Sequence, residues 1–280
     1  MIEYPSIDPV ALALGPLQIH WYGLMYLVAF GSAWWLGKLR AGLSGSVIRP
    51  EHIDDIIFYG ALGVVLGGRI GSVLFYNFDS FLANPLYLFR IWEGGMSFHG
   101  GFIGVALAML FMCRKIGCSY WQLTDFIAPI VPLGLAAGRL GNFINAELWG
   151  APSQLPWAMK LSCEQFPPDR YADFAGPLCY SPRHPSQLYE MLVEGLLLFA
   201  VLWLISAKPR PTMTVTGWFL LLYGLGRSAV EFVRLPDAHI GYLLGTDWLT
   251  RGIVLSLPMI IVGLVLLVLS RRGANHASIS

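Results

Sequence analysis

Charge is what this sequence has least of. Asp, Glu, Lys and Arg make up 12% of its 280 residues, about half the share of an ordinary soluble domain, while apolar residues reach 56% and the mean hydropathy is +0.60. A soluble core of this size cannot hide several runs of about 20 apolar residues, so the chain reads as a polytopic membrane protein. The net charge is only +1 and no basic tract interleaved with aromatics occurs, which excludes nucleic acid as a partner. H-E-x-x-H, G-x-S-x-G and G-x-x-x-x-G-K-[ST] are all missing, so metalloprotease, serine hydrolase and nucleotide-driven pump lose their motifs. The spans carry no paired aspartates at metal spacing, which removes the metal-dependent lipid transferases. No Lys or Arg precedes the first apolar run, where Glu3 and Asp8 stand instead, so the basic start of a cleaved signal peptide is absent and the first span is expected to remain.

What is there is seven apolar runs, at about 18–38, 53–77, 96–113, 121–145, 186–206, 213–232 and 252–270. Threading them alternately across a membrane puts Lys38, Arg40, Arg49, Arg114, Lys115, Lys208, Arg210, Arg271 and Arg272 on one side, in short connections. Arg90, Lys160, Arg170, Arg183, Arg234 and Arg251 fall on the other, spread through longer and more acidic segments. The positive-inside rule then predicts an outward N-terminus and a cytoplasmic C-terminus. Trp21, Trp92, Trp121, Trp149, Trp218 and Trp248 lie near the span ends and read as interfacial anchors. The expected fold is all-α: one seven-span membrane domain over 1–280, with the proline-rich loop 146–184 as a small outward cap. The tail Ala274–Ser280 reads as short and disordered.

Cysteine is scarce. Cys163 and Cys179 lie in the cap, in an oxidising compartment, and are expected to pair, two free thiols being the alternative. Cys113 and Cys118 lie at the cytoplasmic end of span three and should stay reduced. Neither pair makes a zinc pattern with the histidines present.

Gly63, Gly67 and Gly71 in span two, and Gly134 and Gly138 in span four, offer faces for close helix packing. Arg69 reads as paired with an acid inside the bundle rather than as a ligand for an anion.

The polar residues gather in two places. Gly138-Arg139-Leu140-Gly141-Asn142-Phe143-Ile144-Asn145-Ala146-Glu147-Leu148-Trp149-Gly150 puts an arginine, two asparagines and a glutamate at the end of an apolar run. If the helix continues, Arg139, Asn142 and Ala146 follow one stripe, with Glu147 beside it. In span six Tyr223, Arg227 and Glu231 recur at i, i+4 and i+8, followed by Arg234, with Gly224 and Gly226 alongside. Glu190 and Glu194 are one turn apart in span five and are expected to face the bundle interior. His99, set among Gly94, Gly95, Gly100 and Gly101, is approachable at the outer edge of span three, and imidazole is the natural general base near neutral pH. Two arginines on different spans suit one anionic group of an amphipathic ligand, and guanidinium matches phosphate best, which points to a phospholipid.

These residues carry a resemblance. The run from Gly138 to Gly150 resembles the signature of the bacterial prolipoprotein diacylglyceryl transferases. The likeness extends to His20-Trp21-Tyr22-Gly23, Gly67-Gly68-Arg69-Ile70-Gly71, His99-Gly100-Gly101, Arg183-His184-Pro185-Ser186-Gln187 and the span-six cluster. The loop 151–182 carries no part of it. The resemblance implies an inner-membrane enzyme with a periplasmic active site and no cofactor or metal. Such an enzyme transfers diacylglyceryl from phosphatidylglycerol to the lipobox cysteine of preprolipoprotein signal peptides. Arg139 and Arg227 are then expected to stabilise charge growing on the leaving glycerol phosphate, and His99 to act as base. Tyr22, Tyr223 and Asn142 would donate to headgroup oxygens, Glu147 and Glu231 would orient the arginines, and Gly150 would belong to the substrate-binding residues. A lipid or anionic-solute transporter is the runner-up, but the sequence contains no internal repeat to support it. A bare membrane scaffold leaves both arginine clusters unexplained.

Overall fold

A backbone buried in lipid has only itself to hydrogen-bond, so each long apolar run is driven into helix. The computed structural model describes residues 1–5, 7–15, 17–43, 46–90, 94–173, 175–236 and 241–277. Strands β1 (Ile2–Glu3), β2 (Val10–Leu14) and β3 (Leu17–His20) precede helices α1 (Trp21–Ala41) and α2 (Pro50–Tyr76). A short helix α3 (Phe78–Ala83) and a 3-10 turn lead to α4 (Phe98–Ile116), α5 (Tyr120–Ile127) and α6 (Val131–Ile144). The long loop holds β4 (Met159–Lys160), β5 (Ala172–Asp173) and β6 (Gly176–Pro177). Then come α7 (Ser186–Glu190), a π-helical stretch (Met191–Leu197), α8 (Leu198–Ile205), α9 (Thr214–Glu231) and α10 (Arg251–Ala277).

Among the described residues, four helical stretches are long and apolar enough to cross a membrane: Pro50–Tyr76, Phe98–Ile116, Ser186–Ile205 and Arg251–Arg272. The broken pair α5 and α6 makes a fifth if taken as one span. Pro129, which has no N–H to give and crowds the preceding turn, lies in that break, so the run 121–145 is not the single uninterrupted helix its apolarity suggested. Helices α1 and α9 cover the two remaining runs. The helix of α10 continues through Ala277, into the stretch expected to be disordered; Ser278–Ser280 lie outside the described residues, as does Trp92.

The chain divides into two units, Trp34–Phe126 and Met1–Ala33 with Ile127–Ser280. In the first, α2 packs on α4 through glycines. A Cβ on Gly63 would stand 2.6 Å from the Gly104 carbonyl oxygen, and one on Gly71 would stand 2.7 Å from Gly100 Cα. The Ser97 hydroxyl accepts from Gly100 N–H (3.2 Å) to cap α4, while Ser97 N–H donates to the Gly68 carbonyl (2.8 Å). Arg69 is buried on α2, but its partners are not acids. It donates to the carbonyls of Leu88 (3.0 Å), Gly94 (2.7 Å) and Tyr87 and lies 4.7 Å from the Tyr87 ring centroid. Backbone carbonyls can satisfy a guanidinium as a carboxylate does, and Arg69 therefore pins the segment after α3 to its own helix.

In the second unit α9 packs on α10, where a Cβ on Gly224 would meet Ile260 Cγ1 at 2.7 Å. One on Gly226 would meet Val193 Cγ1 at 2.8 Å, so helix packing accounts for both span-six glycines. The loop packs with Tyr4 and the end of α6 around a small core: Tyr4, Phe143, Ala146, Trp149, Leu161 and Leu178. Trp149 is thus a core residue rather than an interfacial anchor; it is 4% exposed, and its indole N–H donates to the Ala146 carbonyl (3.0 Å). Strand β1 pairs in parallel with β4, bringing the N-terminus onto the cap. There the Tyr4 hydroxyl reaches the carbonyls of Phe143 and Ile144, each at 2.9 Å, two of the acceptors that the end of α6 leaves open. Cys163 and Cys179 are disulfide-bonded, and Cys113 and Cys118 are free. Arg183, fully buried, ties the cap together through Asp173 (3.1 Å) and the carbonyls of Gly176 (3.2 Å) and Pro177 (3.4 Å).

Candidate active site

The site is built where α6 ends. Helix α6 stops at Ile144, two residues short of what the stripe from Arg139 through Asn142 to Ala146 requires. The chain then turns sharply, with Ala146 (φ 54°) and Leu148 (φ 60°) in the left-handed region, which side chains other than glycine rarely enter. Neighbours hold this turn in place. Glu147 N–H donates to the Asn142 carbonyl (2.9 Å), Ser186 Oγ–H donates to the Leu148 carbonyl (2.7 Å), and the Gln187 side chain donates to the Glu147 carbonyl. Gly150 N–H donates to the His184 carbonyl (2.9 Å), and a Cβ on Gly150 would stand 2.7 Å from His184 Cβ. Only glycine permits that approach. An antiparallel bridge joins Gly150 to Arg234, so three separate segments meet at this point.

Within the turn, Glu147 does not pair with Arg139 as expected. Its carboxylate accepts from the side-chain amides of Asn142 (3.3 Å) and Asn145 (3.2 Å), and so it fixes which way the buried Asn142 amide points. The arginine partners come from α7 and the π-helical stretch instead. Arg139 Nε lies 3.1 Å from Glu190 Oε2, and its Nη2 lies 3.8 Å from Glu194 Oε2. Arg227 on α9 pairs with Glu190 Oε1 and with Glu231, and lies 3.5 Å from Glu194 Oε1. Arg234 Nη1 lies 3.5 Å from Glu190 Oε1 and 3.4 Å from Glu231 Oε1. The buried Thr250 hydroxyl donates to Glu231 Oε2, and Thr250 Oγ1 accepts from Ile253 N–H (3.3 Å) at the start of α10. Three arginines therefore meet three glutamates, and the glutamates are nearly sealed from solvent, with side chains 0%, 1% and 4% exposed for Glu190, Glu194 and Glu231. Arg139 keeps the most access, at 22%. Charges this deep persist only when paired, and the cluster is balanced in charge.

Close packing puts these groups within reach. Ala136 precedes Arg139 by one turn on α6, and a Cβ on Gly195 would stand 2.5 Å from Ala136 Cβ. The ring of Tyr22 lies against Gly141, where a Cβ would meet Tyr22 Cδ2 at 2.9 Å, and Tyr22 packs edge-on to Tyr26. Tyr223 stacks on Phe219 with ring centroids 5.9 Å apart, one turn from Arg227. A small cavity of about 40 Å³ opens beside Arg227, Glu231, Arg234 and Thr250.

The structure thus brings together Arg139, Asn142, Glu147, Gly150, Arg227 and Glu231, with Tyr223 on the helix of Arg227 and Tyr22 reaching Gly141 of α6 from α1. His99 belongs to the other unit, where it stands exposed in the first turn of α4 with its ring edge-on to Phe98. The sequence set Arg234 and Gln187 in its polar runs without marking what they hold, and nothing in it pointed to the N-terminal Tyr4. The carboxylates of Glu190 and Glu194 were visible as acids four apart in an apolar run, a costly pairing that asks for cationic partners.

Known proteins bear on what such a cluster does. The family model described as prolipoprotein diacylglyceryl transferase matches residues 9–269. The chain is 54% identical over 280 residues to the phosphatidylglycerol–prolipoprotein diacylglyceryl transferase of Pseudomonas fluorescens strain Pf0-1, covering 100% of this chain and 99% of that one. It is 55% identical over 267 residues to the enzyme of the same name from Pseudomonas putida strain KT2440, covering 95% of each. The Pseudomonas aeruginosa PAO1 relative is 54% identical over 272 residues, 97% of each chain.

Proposed function

The chain belongs to the prolipoprotein diacylglyceryl transferase family, and from that premise we propose that it transfers diacylglyceryl from phosphatidylglycerol to the lipobox cysteine thiol of preprolipoproteins. The thiolate sulfur attacks the glyceryl carbon, a C–S bond forms as the C–O bond breaks, and the electron pair leaves on glycerol phosphate. The thiol proton passes to a base. The observation that carries this reading is that Arg139 of α6 and Arg227 of α9 converge on one buried carboxylate.

Two guanidiniums so placed match a phosphodiester whose charge grows as the ester bond breaks, an interaction stronger in the transition state than in the bound lipid. Preorganisation by Glu190, Glu194 and Glu231 means that little rearrangement is needed at that moment. In this reading Asn142, Tyr22 and Tyr223 donate to headgroup oxygens, Glu147 aims Asn142, and Glu231 aims Arg227. Gly150 allows the close approach to His184 on which the turn beside the lipid rests. A free thiol ionises at about 8.5, so a base or a positive field is required, and His99 is the residue proposed as base. The seven helical stretches are read as seven spans of the bacterial inner membrane, with the N-terminus and the 146–184 cap periplasmic. A reporter active only outside the cytoplasm should then work within 151–182 and fail after Arg272.

The test is direct. Purified protein is incubated with phosphatidylglycerol labelled in its diacylglyceryl part and a lipobox peptide, and label is sought on the peptide with matching release of glycerol phosphate. Label that stays in lipid, with a folded protein, overturns the reading.

A further inference from the structure

Glu190 occupies a place that the arginines alone do not explain. Among the described residues its carboxylate alone faces all three guanidiniums: Arg139 through Oε2 at 3.1 Å, and Arg227 and Arg234 through Oε1. Arg139 and Arg227 stand on different helices and share no oxygen of Glu231, so Glu190 is what sets their separation. Glu194 faces the same two arginines only from 3.8 and 3.5 Å. The backbone is adapted to this. Met191–Leu197 is π-helical, and pairing five residues apart brings Gly195 beneath Glu190. In a regular α-helix those positions would lie about 140° apart around the axis. Gly195 then lets the helix close onto α6 at Ala136, one turn from Arg139. Glu190 Oε2 meets Arg139 without an in-line hydrogen bond although it is fully buried, so the contact is one of charge, and the guanidinium keeps donors for another acceptor.

We infer that Glu190 is the positioning residue of the transfer: a counter-charge that spaces Arg139 and Arg227 for the two sides of one phosphate and keeps the cluster neutral before the lipid arrives. The inference rests on the transferase reading and makes a claim with a sign. With Glu190 ionised the three arginines and three glutamates cancel, so the lipid phosphate is held by donor geometry more than by net charge. Removing that one charge leaves an excess cation, which strengthens ground-state attraction for an anionic headgroup while releasing the arginines from their spacing. Binding and turnover should therefore move in opposite directions.

The experiment compares wild type, Glu190→Gln and Glu190→Asp in mixed micelles, measuring kcat and KM for phosphatidylglycerol with a saturating lipobox peptide, and thermal melting of each. For Glu190→Gln the expected result is a KM lowered about threefold or more with kcat lowered about 10²-fold. For Glu190→Asp, which keeps the charge on a shorter stem, KM should stay at the wild-type value while kcat falls. A merely structural role predicts instead a lower melting temperature with unchanged kcat and KM in the folded fraction; that outcome, or a KM that rises in Glu190→Gln, overturns the inference. Should Glu190→Gln fail to fold, Glu190→Asp decides alone, and a wild-type kcat in it overturns the inference. Wild type that transfers nothing would sink the transferase reading itself, a result distinct from all of these.

Discussion

Gly195 and Ala136 touch with no room for a side chain between them: a Cβ on the glycine would stand 2.5 Å from the alanine Cβ and 2.9 Å from its Cα. That close approach lets the helix bearing Glu190 and Glu194 pack tightly on the helix bearing Arg139. Ion pairs between helices are only as good as the packing beneath them, because a shift of 1 Å converts a paired buried charge into an unpaired one.

The phosphate clamp predicts that Arg139→Lys and Arg227→Lys, which keep charge but lose the planar fork, lower single-turnover transfer by about 10²–10³-fold. Melting temperatures should change far less. Near-normal rates in stably folded variants would leave these arginines as helix-locking residues.

Arg69 supplies the contrast. Its guanidinium satisfies backbone carbonyls of Tyr87, Leu88 and Gly94, which no shorter or single-point donor can reach together. Arg69→Lys should lower thermal stability by about 1–3 kcal/mol, the cost of leaving buried acceptors unpaired, and spare kcat in the folded fraction. Calorimetry and transfer assays on the same preparation check this; a lost rate with unaltered melting would contradict it.

Thiol labelling of denatured, unreduced protein should count two free cysteines, Cys113 and Cys118, and four after reduction. The Cys163–Cys179 bond closes a loop with a sequence separation of 16, worth about 3 kcal/mol in the chain-entropy model. Reduction should therefore sensitise the cap to protease before it affects the helices.

Burial holds the His184 imidazole below its ordinary pKa, and its Nδ1 lies 3.1 Å from the Tyr189 hydroxyl, which accepts from the Trp157 indole N–H at 2.7 Å. As pH falls through about 6.5 the unfolded histidine protonates first. The unfolded state then binds more protons, so stability declines from there down to the folded pKa and is greatest above it. Between about pH 7.5 and about pH 5.5, His184→Gln should lose less melting temperature than wild type. An equal loss in both would show that His184 is not the titrating group.

Apolar runs declared the helices because lipid leaves the backbone no alternative, and the two arginine clusters stood out because charge there is costly. What the sequence did not disclose is set by contacts between distant segments. Arg69 could be seen to need partners, but carbonyls are the same in every residue and leave no mark in a sequence. Glu147 sits close to Arg139 in the chain, yet the left-handed turns at Ala146 and Leu148 aim it at two asparagines instead. Trp149 has the composition of an anchor and becomes core only because β1 brings Tyr4 over it. Strands of two residues, and a π-helical stretch in an otherwise helical run, have no periodicity long enough to read.

Tyr4 gives the assembly a temporal order. Its hydroxyl closes the end of α6 across 139 positions of chain, so Tyr4 waits for a partner made much later in synthesis. Contacts of such separation form late in folding. The rim around Arg139 and Asn142 is then among the last parts to set, and until the cap closes over Tyr4 the newly inserted chain holds its arginines without a finished site around them.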